Sequence, residues 1–223
     1  MKKATIALLL ICTAAFAQQK GSFNDKRDKK TYKTVKIGEQ TWMAENLNYA
    51  VEGSKCYGEG GVISEGESGE EKITYTNKEV QANCKKYGRL YNWATAMKAC
   101  PDGWHLPSDK EWQTLVDVAG GNEAAGKKLK AKSGWSHNGN GTDSYGFSAL
   151  PGALGNSDGP VGMAGGNSHY LGFSGSWWSA SNYEDENLSN YACFRTMQCI
   201  DDIVGRSGDD KSTSLYSVRC VKD

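Results

Sequence analysis

The sequence predicts a single α+β domain with an antiparallel sheet, a few helices and long irregular loops. Segments of helical composition lie between residues 77 and 132, whereas Gly, Asn, Ser and short aromatic strands dominate after residue 133. Helices that come first and strands that follow as a block favour α+β over alternating α/β architecture. A chain of 223 residues is long enough for one sizeable core and short for two.

The first 17 residues are typical of a secretory signal peptide. A basic start and a short apolar run lead to an Ala-x-Ala cleavage pattern that ends at Ala17. The run is too short for a permanent membrane span. A lipoprotein modified on Cys12 is the alternative, but the bulky Ile11 before it and the later cleavage pattern argue against it.

We therefore expect a protein that is secreted or held at the cell surface and does not span the membrane. Residues 18–30 are predicted to be a polar lead, and residues 31–223 the folded domain. The chain has 26 basic and 26 acidic residues, and loss of Lys2 and Lys3 leaves 24 against 26. This balance argues against a nucleic-acid partner, which would select a basic face.

Six of the seven cysteines lie in the predicted mature chain: Cys56, Cys84, Cys100, Cys193, Cys199 and Cys220. An even number in an exported chain indicates disulfides, but the sequence alone does not choose among the pairings. Spacings typical of zinc sites are absent from the sequence.

Local patterns predict the individual elements. Residues 31–48 alternate polar and apolar around Gly38, which favours two strands joined by a tight turn. The Gly- and Glu-rich residues 58–71 are predicted to be a solvated loop. Predicted helices cover residues 77–87 and 93–98, residues 108 to the glycine pair at 120–121, and residues 122–132. Predicted strands cover residues 145–150, 175–181, 191–197 and 215–221.

The strongest local signal is the helix start at Ser108. Ser108 can cap the first turn, and Glu111 can bond back to the Ser108 amide, which is a capping box. We interpret the segment from Cys100 to Trp112 as scaffold and predict that His105 is a packed histidine rather than a catalyst.

Three segments together resemble a known family: GRLYNWATAMKACPDGWHLPSDKEW, DSYGFSALPGA, and the region from WWSASNYEDEN to YSVRCV. They are similar to the Fibrobacter succinogenes major paralogous domain (FISUMP), a family of exported bacterial proteins, from about residue 31 to the C-terminus. The resemblance implies a branch of the C-type-lectin-like fold. Related signatures occur in formylglycine-generating (sulfatase-modifying) enzymes and in some bacterial collagen-like adhesins. A fold alone does not fix a function.

The resemblance also implies a disulfide pattern. Cys100 would pair with Cys220, Cys193 with Cys199, and Cys56 would be left for Cys84. Because formylglycine-generating enzymes use two nearby cysteines late in the chain, Cys193 and Cys199 also raise the alternative of a thiol-dependent oxidase.

The resemblance places a ligand site in the irregular half of the chain. The loop at residues 151–176 is one candidate, with a variable surface loop as the alternative. The predicted ligand-binding residues are Trp178, Tyr183, Glu184, Asp185 and Asn187. Trp177 and Trp178 point to opposite faces of a strand, so one could offer a sugar-stacking ring beside polar groups. The alternative is that both tryptophans are packed and the acidic residues form a solvated turn.

Calcium is the one cofactor that the residues suggest. Asn140 and Asp143 are predicted metal ligands because Ca²⁺ prefers carboxylate and carbonyl oxygens. Their spacing follows no known calcium loop, and the sugar-binding signatures of calcium-dependent lectins are absent from the sequence.

Taken together, these observations predict a non-catalytic binding protein rather than an enzyme, with a polysaccharide or cell-surface glycan as its partner. An adhesive or structural module that binds a surface protein is the main alternative.

Overall fold

The computed structural model describes residues 19–66, 69–157, 171–185 and 187–223. The predicted signal peptide and Cys12 lie outside these residues. The helices are α1 (Asn77–Tyr87), α2 (Trp93–Ala99), α3 (Asp109–Val118) and α4 (Asn122–Leu129). The strands are β1 (Lys20–Asn24), β2 (Thr31–Ile37), β3 (Gln40–Met43), β4 (Val62–Gly66), β5 (Gly69–Ile73), β6 (Leu90–Tyr91), β7 (Trp104–His105), β8 (Gly155–Asn156), β9 (Ser174–Asn182), β10 (Tyr191–Gln198), β11 (Gly205–Asp210), β12 (Ser214–Ser217) and β13 (Val221–Lys222).

The first sheet joins distant parts of the chain. Its strand order is β1-β2-β3-β13-β7, and all of its pairs are antiparallel. Val221 of β13 pairs with Trp42 on one side and His105 on the other. The predicted hairpin around Gly38 is present as β2 and β3. The predicted polar lead contains β1, which forms one edge of this sheet.

The second sheet carries the aromatic strands. Its order is β11-β10-β9-β12-β6, with β8 also paired to β12. Its strand pairs are antiparallel except β9 with β12, which is parallel. The combination of helices with antiparallel sheets confirms the predicted α+β class.

Strand β9 lies between two hydrophobic clusters. Trp177 packs in one with Trp42, Trp112 and Phe147, and Trp178 packs in the other cluster, which includes Tyr91 and Tyr216. Both indole N–H groups have buried acceptors: Trp177 donates to Asn46 Oδ1 (2.9 Å) and Trp178 to the carbonyl of Tyr91 (2.8 Å). This strand is therefore core on both faces.

Local capping explains where the longer helices begin. The Ser108 hydroxyl accepts the N–H of Glu111 (3.2 Å), and the Glu111 carboxylate accepts the N–H of Ser108 (2.8 Å), which confirms the predicted capping box of α3. Helix α1 has the same arrangement between Thr76 and Glu79. Two such motifs satisfy amide groups that would otherwise lack partners.

Two disulfides stabilise the frame. Cys100 at the end of α2 bonds to Cys220 just before β13, and Cys56 bonds to Cys84 in α1. Both pairs are those that the resemblance implied. Disulfides of this kind indicate an oxidising compartment. In the part of the chain that the structure describes, no helix has the length and hydrophobicity needed to cross a membrane.

Several predicted elements are wrong. The predicted loop at residues 58–71 contains β4 and most of β5, which form a separate hairpin. Residues 145–150 form no named strand, and Ala149 makes only an isolated bridge to Lys130. The strand predicted at residues 215–221 divides between β12 in the second sheet and β13 in the first.

A buried arginine ties the two sheets and the central loops together. Arg219 is fully buried and donates from Nε (3.0 Å) and Nη2 (2.6 Å) to Asn46 Oδ1, while its Nη1 donates to the carbonyl of Phe147. Burial lowers the pKa of Arg219 to about 9. Asn46 also accepts the N–H of Trp177, so one amide oxygen serves two core side chains.

Candidate functional site

The loop after β9 carries four of the predicted ligand-binding residues. Tyr183 is half-buried, and Glu184, Asp185 and Asn187 are exposed. The Tyr183 N–H donates to the carbonyl of Tyr191 at the start of β10 (3.0 Å), which holds the tyrosine at the base of the loop. Further out, the Asn187 N–H donates to Asp185 Oδ1 (2.9 Å). The structure therefore brings these four residues together on one exposed turn.

The Tyr183 ring rests directly on the edge of the second sheet. A Cβ atom on Gly208 would lie 2.3 Å from the ring, so only glycine permits this approach. The guanidinium carbon of Arg206 lies 5.7 Å from the ring centroid. We call Tyr183, Glu184, Asp185, Asn187 and Arg206 the Tyr183 surface.

A cluster of charged groups centred on Asp109 holds Arg206 of the Tyr183 surface in position. Asp109, in the first turn of α3, accepts Nε of Arg206 at Oδ2 (2.7 Å). Its other oxygen, Oδ1, accepts Nε (2.9 Å) and Nη2 (2.6 Å) of Arg195. The Asp109 N–H in turn donates to the hydroxyl of Ser181 (3.0 Å). Asp109 thus connects helix α3 to β9 through its backbone N–H, and to β10 and edge strand β11 through its carboxylate.

The two arginines of this cluster differ in their contact with water. The Arg195 side chain is 1% exposed, whereas that of Arg206 is 38% exposed. The hydrogen bond to Asp109 raises the pKa of Arg206, and the charge of Glu184 acts in the same direction. Arg195 is therefore a structural cation, and Arg206 is the one that solvent and a ligand can reach.

Two buried thiols lie on and beside strand β10, and they are not bonded to each other. Cys193 donates to the carbonyl of Asn182 (3.3 Å) and accepts Nη2 of Arg206 (3.4 Å). Burial raises the pKa of both Cys193 and Cys199. The predicted Cys193–Cys199 disulfide is wrong because an extended strand runs between them. Six residues of strand span roughly 20 Å, beyond the reach of a disulfide.

With the geometry in place, comparison with known proteins identifies the family. The family model of the Fibrobacter succinogenes major domain matches residues 35–222. The chain belongs to this family. The description of this family names no activity, so the match assigns none to the Tyr183 surface. Nothing among curated proteins or solved structures matches the chain.

The sequence prediction for Trp178 is wrong within this family member. Trp178 is fully buried and packs on Tyr216, with ring centroids 4.5 Å apart. Because β9 is covered on both faces at these residues, neither adjacent tryptophan reaches solvent. The structure agrees with the alternative interpretation, in which both tryptophans are packed.

The predicted calcium ligands are occupied by the protein itself. Asn140 Oδ1 accepts the N–H of Trp135 (3.0 Å). The two carboxylate oxygens of Asp143 accept the N–H and the hydroxyl of Ser148, each at 2.7 Å. Across the described residues, no group of three or more His, Cys, Asp or Glu side chains is arranged to hold a metal ion. Both residues stabilise turns in this structure.

The groups that support the site were not predicted from the sequence. The available signal for Arg195 was an arginine that follows four apolar residues of a predicted strand, since a buried arginine needs a partner. Asp109 lies in the first turn of the capped helix α3, a position that acidic residues favour for local reasons, so its sequence context gave no sign of the two arginines. Nothing in the local sequence of residues 205–210 indicated a strand.

His105 is less enclosed than predicted. Its side chain is 41% exposed, and its ring bridges Glu111 Oε1 (2.8 Å) and Asp223 Oδ1 (2.6 Å). This cluster lies at the start of α3, and it links the first sheet to that helix. The other predicted ligand loop, residues 151–176, has its residues 158–170 outside the described part of the chain.

Proposed function

We propose that this protein is a non-catalytic binding protein of the cell exterior and that its Tyr183 surface binds a polysaccharide or cell-surface glycan. The observation that carries the proposal is the half-buried Tyr183 ring, which rests on Gly208, lies 5.7 Å from the Arg206 guanidinium carbon and shares its turn with exposed carboxylate and amide side chains. Sugars are bound by this combination, because an aromatic ring packs on the apolar face of a pyranose while polar groups bond its hydroxyls.

The rigidity of the support favours binding. Tyr183 is fixed by a backbone bond and by contact with Gly208, so little side-chain freedom would be lost when a ligand packs on the ring. The cluster centred on Asp109 fixes Arg206 in the same way. The two disulfides are consistent with export, and the implied C-type-lectin-like fold also carries ligands on its loops.

The test is retention of the protein, exported by a bacterial host, on insoluble cellulose, xylan and chitin, with soluble oligosaccharides as competitors. Tyr183→Ala should weaken binding about fivefold, since ring packing contributes about 1 kcal/mol. Gly208→Ala should produce a similar loss, because its Cβ would displace the ring. Tyr145→Ala is the matched control, since Tyr145 is a half-buried tyrosine elsewhere on the surface.

Equal retention of the parent, Tyr183→Ala and Tyr145→Ala proteins would contradict the proposed site. Failure of every polysaccharide to retain the parent would contradict glycan binding itself. Binding that survives addition of a chelator would argue against a calcium requirement.

Adhesion to a surface protein is the second candidate. It is favoured by Ile200 and Ile203 in the turn between β10 and β11, whose relative exposures are 64% and 38%. Exposed apolar side chains in one turn suit a protein partner better than a sugar. Soluble glycan would not compete with such binding, and Ile200→Ser would weaken it.

A further inference from the structure

The Tyr183 surface ends in an acceptor sequence for asparagine-linked glycans. Asn187-Leu188-Ser189 has the form Asn-x-Ser in which x is not proline. Such acceptors are used in exported proteins where the segment lies on the surface. The pattern is short, so its use depends on where the fold places the side chains.

The fold leaves this acceptor available. Asn187 and Ser189 are exposed, and the Asn187 side-chain amide makes no hydrogen bond to the described residues. The turn is held by the Leu188 N–H, which donates to the carbonyl of Asp185 (3.0 Å), by the Asn187 N–H, which donates to Asp185 Oδ1 (2.9 Å), and by Lys211 Nζ, which donates to the carbonyl of Ser189 (3.1 Å). Because these bonds use neither the Asn187 side-chain amide nor the Ser189 hydroxyl, both groups are accessible to the active site of a modifying enzyme.

A second acceptor sequence in the chain is held in the fold by hydrogen bonds. In Asn140-Gly141-Thr142, the Asn140 side chain accepts the N–H of Trp135 (3.0 Å). The Gly141 N–H donates to the carbonyl of Ala131 (2.9 Å). The Thr142 hydroxyl donates to the carbonyl of Lys127 (3.2 Å). All three residues are engaged, so the folded protein offers this acceptor to no enzyme.

We infer that Asn187 is a site of asparagine-linked glycosylation and that Asn140 is not. The donor class is an oligosaccharide linked to a lipid diphosphate. Asn187 Nδ2 forms a bond to the anomeric carbon of the sugar and gives up one proton. The bond between that carbon and the diphosphate oxygen breaks, and the lipid diphosphate leaves with the electron pair. No oxidant or reductant takes part.

Glycosylation would place a covalent sugar chain within reach of Tyr183. An attached glycan is present at high effective concentration near the ring, so it would compete with external polysaccharide. The inference goes beyond the proposed function and stands without it, because attachment requires only an exposed acceptor.

The test is peptide mass spectrometry of the full chain exported from bacteria that carry an oligosaccharyltransferase and its lipid-linked donor. The peptide with Asn187 should gain the mass of one glycan, whereas the peptide with Asn140 should remain unmodified. Asn187→Gln and Ser189→Ala should each abolish the added mass, and Asn140→Gln should leave it unchanged.

An unmodified Asn187 peptide, from cells in which a second exported acceptor protein is modified, would overturn the inference. So would a glycan found on Asn140 instead. Polysaccharide binding is measured separately on protein from cells that lack the transferase, so failure of the proposed function would leave this result untouched.

Discussion

Removal of the Cys100–Cys220 disulfide is expected to destabilise the protein more than removal of Cys56–Cys84. The two bonds differ chiefly in the length of chain that they close: the cysteines are 120 residues apart in the first and 28 in the second. A crosslink stabilises the folded state mainly by restricting the unfolded chain, and the restriction grows with the length of the loop.

The expected magnitudes follow from the loop lengths. The chain-entropy relation gives about 4.9 kcal/mol for the longer loop and about 3.6 kcal/mol for the shorter one at 25 °C. The double variants Cys100→Ala/Cys220→Ala and Cys56→Ala/Cys84→Ala should therefore differ by about 1.3 kcal/mol in the free energy of unfolding. Alanine is suitable because it introduces no new polar group into the core.

Urea denaturation of the parent and both double variants, followed by tryptophan fluorescence, measures these differences. The seven tryptophans of the chain include several in the core, so their emission reports on unfolding. A smaller loss in the Cys100→Ala/Cys220→Ala protein than in the other variant would refute the loop-length reasoning.

Two further predictions concern charged groups. Burial alone would lower the pKa of His105, but its hydrogen bonds to Asp223 and Glu111 raise it above the ordinary value. The stabilisation by His105 should be complete below about pH 6.5 while its partners stay ionised, and it should disappear as the pH rises through the raised pKa. Urea midpoints of parent and His105→Gln at a series of pH values check this. Separately, Arg195→Met should cost about 1 to 3 kcal/mol, as urea denaturation would show, because Asp109 Oδ1 loses its buried donor while Arg206 still bonds Oδ2.

Each of these predictions has its own control. A constant difference between parent and His105→Gln from pH 5 to about pH 9 would contradict the first. For the second, Arg206→Met is the matched variant, since Arg206 shares the Asp109 carboxylate but is partly exposed and should cost only about 0 to 1 kcal/mol. Equal losses in the two variants would show that burial is not the cause.

The sequence predicted those elements whose cause is local. Helix α3 begins where Ser108 and Glu111 cap it, and helix α1 ends at Gly88, whose φ of 81° suits glycine. These signals act within a few residues of the chain, so no knowledge of tertiary contacts is needed to interpret them.

Elements with a tertiary cause were not predicted. Strand β11 has the sequence GRSGDD, which has little intrinsic preference for a strand; it is extended because β10 offers it a partner. The split of residues 214–222 between two sheets has the same origin. The alternation of residues predicts a strand but does not tell which sheet will receive each part.

The residues of the candidate site also fall into two groups, those with a local cause and those with a tertiary cause. The polar turn with Tyr183 and Asp185 was identifiable because it follows a strongly aromatic strand. The burial of Trp178 was not identifiable. Side chains alternate between the two faces of a strand, but the alternation does not show whether both faces are covered. Gly208 and Arg206 meet Tyr183 only through the pairing of β10 with β11.

The position of β13 sets a condition on how this chain can fold. The strand fills the gap between β3 and β7, and Val221 is its contact with both. When the chain emerges with its N-terminus first, the hairpin of residues 31–43 and β7 cannot be joined in this sheet until residue 221 has emerged. The closing encounter joins segments about 180 residues apart, which makes it slow. Until then the first sheet lacks the strand that joins its two parts.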